Sequence, residues 1–220
     1  MVENSEAGTI LNIEKLNVSY PIYEADPVHA LRGLDLKISK GEIIGLVGES
    51  GSGKTTLARS IMQLISQPGR VDSGRIEYDG QDLATLNEKE LRTLRGNDIA
   101  MVIPNPRTEL NPLVTIGMQI ANVARYHLSL PRKEAKAMAL AMLEAVQIPD
   151  PLRRFKAYPH ELSGGMAQRV VMAIALICSP RFIISDDATS GLDVTVQTQV
   201  LELLQGLVQQ QGASMLFITR

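Results

Sequence analysis

The residues Gly48-Glu49-Ser50-Gly51-Ser52-Gly53-Lys54-Thr55 carry the pattern G-x-x-x-x-G-K-[ST], and the chemistry that pattern can do is phosphate binding. Gly48, Gly51 and Gly53 let the backbone curl around an anion with no Cβ in the way, so several N–H groups converge on it. Ser50, Ser52 and Thr56 complete the cradle, and a helix starting near Lys54 adds the positive end of its dipole. Lys54 supplies a point charge for the outer phosphates, and the Thr55 hydroxyl is of the right type to coordinate Mg²⁺. The pattern needs a strand before it and a helix after it. The apolar run Ile43-Ile44-Gly45-Leu46-Val47 precedes it, and Leu57, Ile61, Leu64 and Ile65 follow at helical spacing. The stretch predicts a nucleoside triphosphate site.

Other residues could work beside it. Phe182-Ile183-Ile184-Ser185 reads as a buried strand running into Asp186 and Asp187. In phosphate-loop NTPases an Asp at the end of a neighbouring strand shares the Mg²⁺ with the loop hydroxyl, which assigns Asp186 as the partner of Thr55. Ser163-Gly164-Gly165 opens a helical segment: either an ordinary Ser cap on a Gly-Gly turn, or an anion site aimed outward. Tyr20, at the end of the first strand, is either a strand aromatic filling a cleft or a platform for a nucleobase.

The elements that must position these groups follow from periodicity. Residues 9–20 and 30–39 alternate in part and read as half-buried antiparallel strands, with Pro21 to Pro27 a loop between them. Four continuous apolar runs, 43–47, 99–103, 182–187 and 215–219, argue for a parallel sheet with right-handed crossovers. Breaks fall at Gln67-Pro68-Gly69-Arg70 and Asp72-Ser73-Gly74, before a short strand Arg75–Tyr78. Asn87 caps a helix through Leu94, ended by Gly96. Pro104, Pro106 and Pro112 predict an irregular, exposed loop. Helices are expected at Ile116–Tyr126, Lys133–Val146 and Gly165–Cys178. Val196, Val200, Leu203, Leu204, Leu207 and Val208 mark one face of another.

Composition excludes several classes. The chain has 220 residues, 45% hydrophobic and 21% charged, with net charge −2. That suits a single α/β domain and argues against nucleic acid as a partner. The single Cys178 allows no internal disulfide and fits a reducing compartment as a buried, inert thiol. His29, His127 and His160 lack metal-ligand spacing. The acidic start Met1-Val2-Glu3-Asn4-Ser5-Glu6 is unlike a secretory leader, and no apolar run approaches the roughly 20 residues of a spanning helix, so a cytosolic protein is expected.

Taken together the motifs resemble ATP-binding cassette (ABC) ATPases. Leu162-Ser163-Gly164-Gly165-Met166-Ala167-Gln168-Arg169 looks like their signature motif, and Ser190-Gly191-Leu192-Asp193 is similar to their D-loop. Leu110-Asn111-Pro112, Tyr158-Pro159-His160-Glu161-Leu162 and Leu192-Asp193-Val194-Thr195-Val196-Gln197 narrow the resemblance to the dipeptide, oligopeptide and nickel importers. It implies a RecA-like phosphate-loop NTPase core over 1–104 and 179–220, with an N-terminal antiparallel β-subdomain and an inserted α-helical subdomain over 105–178. It implies ATP and Mg²⁺, and head-to-tail pairing with a second cassette whose γ-phosphate meets Ser163, Gly164, Gly165 and Asp193. It also implies two membrane permease subunits, an extracytoplasmic substrate-binding protein, and a peripheral place on the cytoplasmic face of the membrane. Tyr20 corresponds to the aromatic that stacks on adenine.

Three positions depart from the family pattern. The residue after Asp186, normally the Glu that polarises the attacking water, is Asp187. The Gln expected after strand 99–103 is Pro104. The His expected after strand 215–219 is Arg220. Together they predict a cassette that holds ATP and hydrolyses it poorly in its own site. Family members continue beyond this point, so a chain truncated at its C-terminus, with an apolar sheet edge exposed after 215–219, is also expected.

Overall fold

A computed structural model describes residues 8–220; the acidic start lies outside the described residues. In chain order the elements are β1 (Thr9–Ile22), β2 (Ala25–Ser39), β3 (Ile43–Val47), α1 (Lys54–Ile61), β4 (Arg70–Tyr78) and β5 (Gln81–Asp82). These are followed by α2 (Glu88–Leu94), β6 (Ile99–Val102), α3 (Pro106–Glu109), α4 (Ile116–His127), α5 (Arg132–Ala145) and α6 (Pro151–Arg154). The chain then runs through α7 (Gly164–Leu176), β7 (Phe182–Asp186), α8 (Val194–Gln210) and β8 (Ser214–Thr219).

Two four-stranded sheets form. One is antiparallel, in the order β2-β1-β4-β5; the other is parallel, in the order β3-β8-β7-β6. Burial on both faces explains the continuous apolar runs of β6, β7 and β8, whereas the edge strand β3 is only half-buried. Along β7, Phe182 and Ile184 enter a core shared with α1 and the antiparallel sheet. Ile183 points the other way, into a core with α4, α5, α7 and α8. β7 is fully buried along its length and ends on Asp186. The sheet therefore delivers one carboxylate at the C-terminal end of a central strand, beside the turn that follows β3. Parallel sheets place ligand sites at that end.

Several expectations are corrected. The loop foreseen from Pro21 to Pro27 is only the turn at Tyr23-Glu24, with Glu24 at φ 55, because both prolines fit in strand. β2 is an edge strand, and Pro21 lies beyond the part of β1 that pairs with β4; a proline there removes no ladder bond. The breaks at Arg70 and Asp72-Ser73-Gly74 lie inside β4. Gly74, at φ 98, absorbs a bulge where the β1–β4 register shifts around Asn17. α1 stops at Ile61 and Gln63 turns at φ 52, so Leu64 and Ile65 fall outside the helix. The proline loop contains a helical turn, α3, with Pro106 at its first position, where a missing N–H costs nothing. Leu110 of that loop is buried. β8 lies between β3 and β7, so the apolar edge falls on β3, where Val47 is exposed, and not on β8. Asp187 leaves the strand at φ 46.

Other expectations match. Asn87 and Glu90 close a capping box on α2. Cys178 is free and buried, and burial pushes its thiol up to about 11. Among the described residues no helix is long and apolar enough to cross a membrane.

Candidate functional site

A cavity of about 930 Å³ opens where the turn after β3 meets the C-terminal ends of β7 and β8 and one face of β2. Ser50, Gly51, Ser52, Gly53, Lys54, Thr55 and Thr56 line one wall, Asp186, Asp187 and Arg220 another, and the stretch from Val28 to Arg32 a third.

The glycine turn is fixed by backbone geometry. Gly51 and Gly53 sit at φ 83 and φ 93, in the left-handed region that disfavours any Cβ. At Gly53 a Cβ would also lie 2.4 Å from the Ala30 carbonyl oxygen. Gly53 is the N-cap of α1 and offers no side chain, so no side-chain bond caps that helix. Its first-turn residues Lys54, Thr55 and Thr56 line the cavity, and the free N–H groups of a helix start suit an anion. Lys54 Nζ folds back over the turn and donates to the carbonyl oxygens of Gly48 and Glu49, at 2.6 Å each, and to Ser52 Oγ at 3.3 Å. The ammonium is held at the centre of the curl. A cradle shaped by glycines, uncapped helix amides and a central cation fit a polyphosphate.

Asp186 is 3% exposed. Burial raises its carboxyl above the ordinary carboxylate value, and the nearby Asp187 charge adds to this. The nearby Thr55 hydroxyl opposes it, with weaker help from Arg59 and Lys54. A hydroxyl and a buried carboxylate lining one cavity are oxygens of the type hard divalent cations take. A folded value above the unfolded one means that protonated Asp186 favours the fold. That contribution is present at low pH and is lost as pH rises from 3.8 through the raised folded value, leaving a charged carboxylate as a cost at neutral pH. Asp186→Asn is therefore expected to raise the melting temperature of the ligand-free protein at pH 7, by about 2–4 °C per kcal/mol recovered in a chain of this size. The gain should shrink as the pH approaches 4. Thermal unfolding across that range checks it.

Asp187 and Arg220 form a pair. Arg220 donates from Nε to Asp187 Oδ2 at 3.1 Å, from a second nitrogen to the same oxygen at 3.0 Å, and to Ser190 Oγ at 2.6 Å.

The structure does not bring every named residue to this cavity. Ser163 caps α7, its hydroxyl accepting from the Met166 amide at 3.3 Å. Asp193 caps α8 in the same way, accepting from Val196 at 3.0 Å. These two caps adjoin each other: a Cβ on Gly164 would lie 3.3 Å from Leu192, and one on Gly165 2.7 Å from Val196. Pro104 follows β6, away from the lining. Tyr20 is also outside the lining, its ring packed where a Cβ on Gly69 would clash at 2.4 Å.

Sequence reasoning missed the contribution of β2, whose residues 28–32 carry no motif. It named Gln168 only as part of the signature motif and gave it no role of its own. This fully buried side chain on α7 donates from Nε2 to the Ile103 carbonyl at 3.2 Å and ties the helix to the strand end before Pro104.

Fold and cavity define a phosphate-loop α/β protein of the RecA-like class, with an antiparallel subdomain and helices inserted between β6 and β7. The ABC transporter family matches residues 31–190, and the chain belongs to it. It is 46% identical over 211 residues to the probable D,D-dipeptide transport ATP-binding protein DdpD of Escherichia coli, covering 96% of this chain and 64% of that protein. The oligopeptide transport ATP-binding protein AppD of Bacillus subtilis is 44% identical over 213 residues, covering 96% and 65%. The chain thus spans somewhat under two thirds of the length of these relatives. Among solved structures, the dimeric structure of a post-hydrolysis state of the ATP-binding cassette MJ0796 bound to ADP and Pi superposes with a TM-score of 0.84. Identity there is 26%, covering 96% of this chain and 88% of that one. The resemblance drawn from the motifs is borne out.

Proposed function

We propose that this chain is the ATP-binding subunit of an importer of the peptide, nickel or metal-chelate kind, acting at the cytoplasmic face of a membrane. In this reading it pairs with a second cassette and with two permease subunits supplied by an extracytoplasmic binding protein. The similarity to proteins named for dipeptide and oligopeptide transport favours peptides. The observation that carries the nucleotide role is the turn 48–55, with Lys54 at its centre and Thr55 lining the same cavity as the buried Asp186.

Each residue then has a task. Amides of the turn and of the first turn of α1 hold the phosphates, and Lys54 Nζ moves from two carbonyls to the outer phosphate oxygens. Thr55 and Asp186 would hold Mg²⁺, which when bound offsets phosphate charge. Tyr20 would meet the adenine. Residues 1–104 and 179–220 act as the ATP-binding core, and 105–178 as the arm that presents Ser163, Gly164, Gly165 and Asp193 to the partner's nucleotide. The separation of that capped pair from the cavity suits service to a second site.

Water activation is the weak step. Asp187 is one methylene shorter than Glu and is engaged by Arg220, and Pro104 has no side-chain donor or acceptor. A misplacement of about 1 Å can cost on the order of a hundredfold in rate. The Arg220–Asp187 pair therefore favours a second reading: a cassette that binds ATP, hydrolyses little, and completes its partner's site.

Turnover of the assembled transporter tests both readings. Lys54→Ala is expected to leave most ATP hydrolysis intact, whereas removing the partner cassette's own phosphate-loop lysine abolishes it. The reverse pattern contradicts the asymmetry. Asp187→Glu alone is expected to restore little turnover, because Pro104 and Arg220 remain.

A further inference from the structure

A smaller cavity, of about 200 Å³, lies between α4, α5 and the chain just after α6. Met118, Ala121 and Arg125 of α4 line it with Arg132 and Lys136 of α5 and with Phe155, and it shares no residue with the cavity at the turn 48–55. The α4 residues are three and four apart, so they occupy one face of that helix. The floor is fixed. Phe155 is buried, its carbonyl accepts from the Gly117 amide at 3.1 Å, and the Ala157 carbonyl accepts from the Ile116 amide at 2.9 Å. The ring is held so close to α4 that Gly117 has no room for a Cβ. Met118, Ala121 and the aliphatic stems of the cations make the rest of the wall apolar.

The charges at this cavity are all of one sign. No acid lines it. Among the described residues none of Arg125, Arg132 and Lys136 takes part in an ion pair. Lys136 Nζ stands 5.6 Å from the centre of the Phe155 ring. Arg132 and Lys136 are one turn apart on α5, a like-charged pair that destabilises a helix unless an anion offsets it. Between 125 and 156 the chain carries seven Lys and Arg against three Asp and Glu, although its net charge is −2. An ordinary solvated basic face would have the same charges, but not the apolar hollow beneath them.

We propose that this cavity binds a small monocarboxylate with an apolar tail. The tail enters against Phe155, Met118 and Ala121, and the carboxylate takes the cations at the mouth, where a guanidinium can grip it with two bonds. The volume is below the roughly 300–1,000 Å³ of sites for drug-sized ligands, so the tail is short. Free amino acids and peptides are disfavoured, because their ammonium would meet only cations. A bound acid would join α4 to α5 within the segment 105–178. Nucleotide at the turn 48–55 is not required.

Titration calorimetry of the full chain with hexanoate, hexanamide and inorganic phosphate tests it, with the Met118 methyl resonance reporting the place of binding. Hexanoate should bind saturably, one to one, and shift that resonance. Hexanamide and phosphate should each bind at least about tenfold more weakly, one lacking the charge and the other the tail. Arg132→Glu combined with Lys136→Glu should weaken hexanoate at least about tenfold. Both side chains are exposed, so the melting temperature should change little. Lys136→Gln alone, the second variant should the reversed one not fold, is expected to weaken hexanoate about threefold. Hexanoate that does not saturate or leaves Met118 unshifted overturns the proposal. So does phosphate or hexanamide binding as tightly as hexanoate, or native affinity for hexanoate in the folded variants.

Discussion

Gly53→Val lowers the affinity for Mg–ATP by about a hundredfold or more, the scale on which a shift of about 1 Å acts at a positioned site. The residue needs φ 93, which a β-branched side chain does not tolerate. It also needs empty space, because a Cβ there would lie 2.4 Å from the Ala30 carbonyl oxygen and 3.1 Å from Leu31 Cδ2. Backbone oxygen cannot swing aside as a side-chain tip would. The turn must move away from β2, and with it the amides of Lys54 and Thr55. Leu57 and Ile61 remain anchored in the core beneath, so the damage stays local. Titration with Mg–ATP measures the loss, and a thermal unfolding curve beside it separates lost binding from lost fold. An affinity within a few-fold of the native chain would mean the turn is not the phosphate cradle.

Phe182→Ala destabilises the protein by about 3–5 kcal/mol, the usual range for a buried aromatic truncation. The side chain is 0% exposed and lies between the two sheets, its ring 6.4 Å from that of Tyr78. Its neighbours come from separate elements: Ile99 and Ser214 flank it in register on β6 and β8. Packing held by paired strands on both sides relaxes little, so the void remains. Domains are typically stable by about 5–15 kcal/mol, so this one change removes a large share. Urea unfolding should show a lower midpoint with the slope nearly unchanged. Val194→Ala, at a position 77% exposed, provides the contrast, with an expected change within about 0.5 kcal/mol.

Both positions show what can be read from a chain alone. The phosphate turn and the carboxylates after 182–185 were legible because their chemistry sits in contiguous residues flanked by unambiguous apolar runs. The same runs gave the parallel sheet, and Asn87 and Gly96 gave the limits of α2. Prolines and glycines misled where position matters more than type. Pro21 and Pro27 sit in strand without cost at sheet margins, and Gly74 marks a bulge inside β4. Pro106 starts a helical turn. Contacts between distant residues were out of reach. Nothing near Gly53 in sequence announces the Ala30 oxygen, and nothing near Arg220 announces Ser190. The departures at Pro104, Asp187 and Arg220 could be named in sequence. Only the fold brought Asp187 and Arg220 together, with Pro104 apart from both.

The central claim is that the turn 48–55 holds a nucleoside triphosphate with its divalent cation, through Lys54 and Thr55 opposite Asp186. Equilibrium binding of Mg–ATP to the native chain and to Lys54→Ala addresses it most directly. The account predicts saturable one-to-one binding by the native chain and at least about a hundredfold weaker binding by Lys54→Ala, since the charge held at the centre of the turn is lost. Equal affinity in the two proteins would contradict it.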